Sequence, residues 1–127
     1  MALASGNTGI SLLASAARTA TTSTAAQPGD YQRGVLVVLK ITAASGTGGL
    51  QTQVEVQDAV TGDWVALNTA PTAVTATGTK TYLVYPGATG GAVTQATSLP
   101  VGGTWRVTVT AGDSSSYTYS VAAVRLT

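Results

Sequence analysis

Val35-Leu36-Val37-Val38-Leu39-Lys40-Ile41 decides the fold. It is a nearly unbroken apolar run of strand length, and it reads as a central strand buried on both faces. Gly46-Thr47-Gly48-Gly49 then supplies a turn. From Gln51 to Asp58 the pattern alternates. Val54 and Val56 share one face, while Gln53, Glu55 and Gln57 share the other, which is the period of a half-buried strand. Thr61-Gly62 turns the chain into Asp63-Trp64-Val65-Ala66-Leu67, the expected hairpin partner. Thr79 to Tyr85 is a further strand stopped by Pro86-Gly87, and Ala92 to Ala96 fits a short edge strand. Trp105, Val107 and Val109 alternate with Arg106, Thr108 and Thr110. Tyr117, Tyr119, Val121 and Ala123 form a last alternating face. Short strands divided by Gly and Pro turns predict an all-β fold, an antiparallel β-sandwich or jelly-roll-like domain over about residues 31–126. Only Ser11–Ala17 carries a pattern that competes for helix.

The composition agrees. Thr, Ala, Val and Gly make up more than half of the 127 residues. Val and Thr favour a pleated surface, and Gly supplies turns. The length suits one domain that buries about two-thirds of its unfolded surface. An apolar fraction of 44% is enough for a core. Cys is absent, which removes a disulfide framework, a thiolate nucleophile and Cys-ligated zinc. His is absent as well, which removes a His general base, a Ser–His triad and His-ligated metal. Charged residues are 9% of the chain and the net charge is +1, unlike the basic patch of a nucleic-acid binder. No stretch approaches the roughly 20 apolar residues of a membrane-spanning helix.

The chain divides near Gln27-Pro28-Gly29-Asp30 into an N-terminal arm, 1–27, and a β domain, 28–127. The arm is mostly Ala, Ser, Thr and Gly, with Ile10, Leu12 and Leu13 as apolar anchors and Arg18 as a single charge. It does not read as a secretory signal. No basic residue precedes Arg18, and Ser5, Asn7, Thr8 and Ser11 interrupt any apolar core. Alone it buries too little surface to offset its ordering entropy, so its own sheet or a neighbouring chain must hold it. The first expectation is a neighbouring chain, met by Ile10, Leu12, Leu13 and Arg18 as partner-binding residues.

Constellations for chemistry are sparse. Asp58 and Asp63 flank one loop, where Asp and Gly more simply make the turn than bind calcium. A carboxylate pair for glycoside hydrolysis has no cleft-forming insertion to house it. Gly78-Thr79-Lys80-Thr81 lacks the adjacent Gly-Lys of a phosphate-binding loop and opens a strand. No spacing places Lys40 or Lys80 beside a serine nucleophile. No catalytic, cofactor-binding or metal-ligating residue is therefore assigned. Trp64 and Trp105 are expected in the core. The tyrosines are as suited to an interface as to a core.

Ser15-Ala16-Ala17-Arg18-Thr19-Ala20-Thr21 leads by a linker to Gly34–Thr47, Leu50–Asp58 and Trp64. Leu99-Pro100-Val101-Gly102-Gly103-Thr104-Trp105-Arg106-Val107 and Ser116–Val121 follow. Over roughly residues 14–126 this resembles small β-sandwich proteins encoded in the structural modules of tailed bacteriophages and prophages. The resemblance rests on strand patterns and brings no catalytic residues. It implies a non-enzymatic virion protein, most simply a capsid decoration (cement) protein. Such a protein is made in the host cytoplasm and sits on the capsid surface. There it bridges the major capsid protein or another virion protein, as a homo-oligomer such as a trimer, with no nucleic-acid or membrane partner. A tail or head–tail connector component is the alternative. A carbohydrate-binding or receptor-binding module is the alternative from another class, and a row of exposed aromatics would favour it. In the decoration reading the arm adds a strand to a neighbour's sheet edge, where backbone hydrogen bonds supply affinity. Deleting 1–27 is then expected to leave the sandwich folded.

Overall fold

The computed structural model describes residues 7–127. Among these residues nine strands follow one another: β1 (Thr8–Arg18), β2 (Thr22–Ser23), β3 (Gly34–Ala44), β4 (Leu50–Gln57), β5 (Trp64–Ala66), β6 (Gly78–Val84), β7 (Gln95–Thr97), β8 (Trp105–Ala111) and β9 (Tyr117–Leu126). They form a five-stranded sheet, β1-β9-β3-β6-β7, and a four-stranded sheet, β2-β8-β4-β5. The two sheets pack face to face as a β-sandwich, and no helix forms among the described residues. Pairing is antiparallel except at one edge, where β7 runs parallel to β6. The connection after Val84 doubles back, and Thr94 N–H donates to Thr81 O (2.9 Å) before the strand begins.

The period of two builds the core. Val35, Val37, Leu39 and Ile41 of β3 meet Val107, Val109 and Trp105 of β8 in one buried cluster. The expectation that β3 is buried on both faces holds for one face only. Leu36 and Val38 are half-buried and Lys40 is exposed, because no described strand lies over the outer face of the five-stranded sheet. Trp105 is fully buried, and its indole Nε1–H donates to Gln32 Oε1 at 3.1 Å. The other tryptophan departs from expectation. Trp64 sits on the outer face of the four-stranded sheet, half-buried, because it pairs with Gln57 at the outward register.

Among the described residues of 1–27, the arm is held by its own sandwich. Ser11–Ala17 is strand, not helix. β1 pairs with β9 from Thr8 opposite Arg125 to Arg18 opposite Tyr117, with register shifts between Ser11 and Leu13 and between Leu13 and Ala16. After Arg18 the chain crosses to the other sheet, where Thr22 and Ser23 pair with Val109 and Thr108 of β8. Thr24 and Val107 then exchange bonds, Thr24 N–H to Val107 O (2.9 Å) and Val107 N–H to Thr24 Oγ1 (3.0 Å). Gln27 and Trp105 exchange two backbone bonds, Gln27 N–H to Trp105 O (2.7 Å) and Trp105 N–H to Gln27 O (3.0 Å). The N-terminal segment thus covers the outer edge of β9 and then that of β8.

Two polar devices sit inside. Asn68, 2% exposed, accepts from Val54 N–H and donates to Thr52 O and Gln95 Oε1, tying β4 to β7 across the sheets. Thr52, Tyr82 and Tyr119 bury hydroxyls that have no well-aligned hydrogen-bond partner. Burial pushes the Tyr82 phenol above its ordinary value, and the neighbouring Thr52 hydroxyl opposes the shift. A buried hydroxyl without a partner costs about 1–3 kcal/mol. Tyr119→Phe should therefore leave stability unchanged or raise it. Trp105→Ala should lower it by about 3–5 kcal/mol, a large share of a typical domain total. Urea unfolding of both variants beside the parent chain checks this, and a Tyr119→Phe loss as large as that of Trp105→Ala would contradict it.

Candidate functional site

The residues expected to bind a partner lie along β1, and they do not form an exposed cluster. Ile10, Leu12 and Leu13 are half-buried against the sandwich's own core. Arg18 is engaged by its own chain. Its Nη1 donates to Tyr119 O (2.7 Å) and its Nη2 to Ala14 O (2.8 Å), and its guanidinium lies 4.7 Å from the Tyr119 ring centre. It supplies donors to carbonyls around the second register shift of β1, where ladder bonding is interrupted.

Two outer faces remain. On the five-stranded sheet, the outward positions line up by register. Val124 of β9, Leu36 of β3, Leu83 of β6 and Ala96 of β7 form one row. Ala122 and Val38 continue the next, which ends at Thr81. Farther along, the face turns polar through Ser120, Lys40 and Thr79. The apolar end carries a cleft of about 220 Å³ lined by Asn7, Leu83, Tyr85, Leu126 and Thr127. Tyr85 folds over β3 because Gly34 has no Cβ, which would collide with the Val84 carbonyl and the Tyr85 ring. A second cleft, about 250 Å³ and lined by Pro28, Tyr31 and Arg125 among others, meets the first at Thr127. Tyr31 is 88% exposed there and holds a φ of 61°, a left-handed conformation that costs a bulky residue energy. Leu99 is also exposed. One pole of the sandwich therefore gathers half-buried aliphatics and an outward tyrosine. None of these was assigned to a site from the sequence. The available signal was parity, since Leu36 and Val38 share their face with Lys40.

The outer face of the four-stranded sheet is polar and tightly bonded. Arg106 Nε donates to Glu55 Oε1 at 2.8 Å, and its guanidinium lies 4.3 Å from the Trp64 ring centre. Thr108 Oγ1 donates to the same carboxylate oxygen and bonds Ser23 Oγ at 2.8 Å. A single aromatic stands on this face, not a row.

The loops hold two carboxylates in structural roles. Asp58 Oδ1 accepts from Val60 N–H (2.8 Å) and Thr61 N–H, and Gly62 N–H closes the turn on Asp58 O, so Asp58 builds the turn before β5. The Val60 N–H, then Thr61, hold its carboxyl below the ordinary value. Asp113 clamps two loops at the opposite end of the sandwich from Tyr31. Gly48 N–H donates to its Oδ2 (2.7 Å), Ser115 N–H and the Tyr117 hydroxyl to its Oδ1, and the Tyr117 oxygen accepts from Gly49 N–H. Gly48 and Gly112 approach backbone to backbone, leaving no room for a Cβ. Among the described residues no group of three or more acidic side chains gathers as a metal site. Among the described residues there is no helix long and apolar enough to cross a membrane. Comparison with family models, with curated proteins and with solved structures finds no match.

The Gly48 N–H is the largest influence on Asp113 and holds its carboxyl below the ordinary 3.8. Desolvation opposes this, and Ser115 and Tyr117 reinforce it. A depressed folded value gives stability that is present above the unfolded value and lost as pH falls through the folded one. Melting temperature should therefore drop on acidification below about pH 4. Asp113→Asn should melt lower at neutral pH and fall less steeply in acid. Parallel melting curves of the two proteins across that range would contradict the clamp.

Proposed function

We propose that this chain is a non-enzymatic structural protein of a tailed-phage virion, a capsid decoration protein that binds and stabilises the capsid lattice. The observation that carries this reading is the uncovered apolar end of the five-stranded sheet, formed by Leu36, Leu83, Val124 and Leu126, with the outward Tyr31 on a second cleft that meets this end at Thr127. Contiguous apolar surface on a small protein marks a docking face, and tyrosine is enriched at such faces. The strand-pattern resemblance over roughly residues 14–126 points to a capsid as the partner.

Magnitudes shape the proposal. Finishing the burial of a half-covered Leu or Val contributes on the order of 1 kcal/mol. Several such contacts barely offset an association cost of about 4–15 kcal/mol. One copy therefore binds a capsid weakly. A homo-oligomer that presents several copies of the patch to a repeating lattice binds tightly, because the later contacts form at high effective concentration. The symmetric lattice and a symmetric oligomer suit each other.

The test is co-sedimentation with undecorated capsids assembled from the accompanying major capsid protein. The parent chain should pellet with the capsids. Leu83→Asp combined with Val124→Asp should still melt cooperatively, since both side chains face away from the core, and lose at least about tenfold in binding, because desolvating an unpaired carboxylate is costly. Equal pelleting of the double variant would remove the patch from the account. A parent chain that stays in the supernatant, or that appears in labelled virions only on the tail, would overturn the decoration reading.

A further inference from the structure

We propose that the outer face of the four-stranded sheet is a saccharide-binding site centred on Trp64, Arg106 and Glu55, and that it takes a pyranose through two neighbouring hydroxyls. This goes beyond the capsid reading and rests on a different face of the molecule.

The three side chains come from three neighbouring strands of one rigid sheet, β5, β8 and β4. Glu55 stands directly opposite Arg106, and Trp64 stands opposite Gln57, one outward position farther along β4. Ala66 is the β5 neighbour of Glu55, and its small side chain leaves the carboxylate open on that flank. The Arg106 and Glu55 side chains are only 26% and 17% exposed, so hydrogen bonds made there compete less with water than at an open surface.

What remains unused on these groups defines the ligand. Arg106 spends its Nε–H on Glu55, and both Nη groups are free to donate. Glu55 receives Arg106 and Thr108 on Oε1, and Oε2 is free to accept. A fixed donor beside a fixed acceptor matches a vicinal diol, in which one hydroxyl accepts from the guanidinium and its neighbour donates to the carboxylate. Trp64 is half-buried beside the pair; the Arg106 guanidinium stacks on one face of its ring at 4.3 Å, so the ring's remaining surface is what it can offer to the C–H face of a sugar. Gln53 and Gln57 flank the pair. Their amide nitrogens already donate to Asn68 O and Gly62 O, which leaves their carbonyl oxygens as further acceptors. Opposite charges in direct contact leave the centre neutral, as suits an uncharged ligand better than an anion. The network from Ser23 through Thr108 to Glu55 fixes the carboxylate before any ligand arrives, so little side-chain entropy is lost on binding. With one aromatic platform, a single site binds in the millimolar range, and repeated copies add avidity.

Nitrogen–proton correlation spectra of the full chain test this, because its two tryptophans give two indole signals. The Trp105 indole is buried on Gln32 and serves as the internal control. The probes are methyl α-mannoside, methyl β-galactoside, methyl β-glucoside and N-acetylglucosamine, with glycerol as a polyol control. At least one sugar should move the Trp64 indole signal saturably while Trp105 stays still and glycerol has no effect. Glu55→Gln and Arg106→Lys should each weaken that response by about tenfold, the loss of one good polar contact. No saturable shift of Trp64 with any of the four sugars would overturn the proposal. So would a shift that both variants, shown folded by their melting curves, leave unchanged. Should either variant fail to fold, the titration of the parent chain decides alone.

Discussion

A β-sandwich must do something with its edges, and here the closing of two edges by one segment governs the rest. β8 and β9 are the last strands of the chain, and each would end its sheet with a row of unpaired backbone groups. The first strands cover both. β1 lies along β9, the chain crosses at residues 19–21, and β2 with Thr24 and Gln27 lies along β8. The same segment seals the core, since Ile10, Leu12 and Leu13 pack against it and the Gln27 bridge fixes the backbone of Trp105. Arg18 and the two register shifts let β1 follow its twisted neighbour β9, and the irregular strand that results is a poorer template for edge-to-edge pairing than a flat one.

With the edges closed, the sheets are free to differ on their outer faces. One presents aliphatic side chains at the pole where Asn7, Tyr31 and Thr127 meet. The other presents Gln, Thr and a single Arg–Glu pair beside Trp64. An apolar end suits burial against a protein lattice, and a rigid polar face suits a small hydroxyl-rich ligand. The two faces point in opposite directions from a common core, so the two proposed contacts do not compete for surface.

The strands around residues 34–41, 51–57, 105–110 and 117–123 were legible because their apolar residues alternate and glycine-rich turns separate them. β1 was not. Its residues are mostly small, and its register shifts place Ile10, Leu12 and Leu13 at spacings that no strict period of two produces. A shift in register looks, in sequence alone, like a fragment of helix. Trp64 was placed in the core beside Val65, yet its pairing with Gln57 turns it outward, and parity cannot be fixed for a strand of three residues without its partner. Of the residues expected to bind a partner, Ile10, Leu12, Leu13 and Arg18 proved to close the chain's own sandwich. The Arg106–Glu55 pair escaped notice because the two lie far apart in sequence and meet only through the β4–β8 register.

The central claim is that the N-terminal segment is part of the folded unit and not an appendage, and thermal unfolding of a chain lacking residues 1–27 tests it most directly. Removing three half-buried anchors and two edge pairings should cost several kcal/mol. For a domain of this size that lowers the melting temperature by roughly 10 °C or more, or abolishes the cooperative transition. A truncated chain that melts cooperatively at the temperature of the full protein would contradict the account.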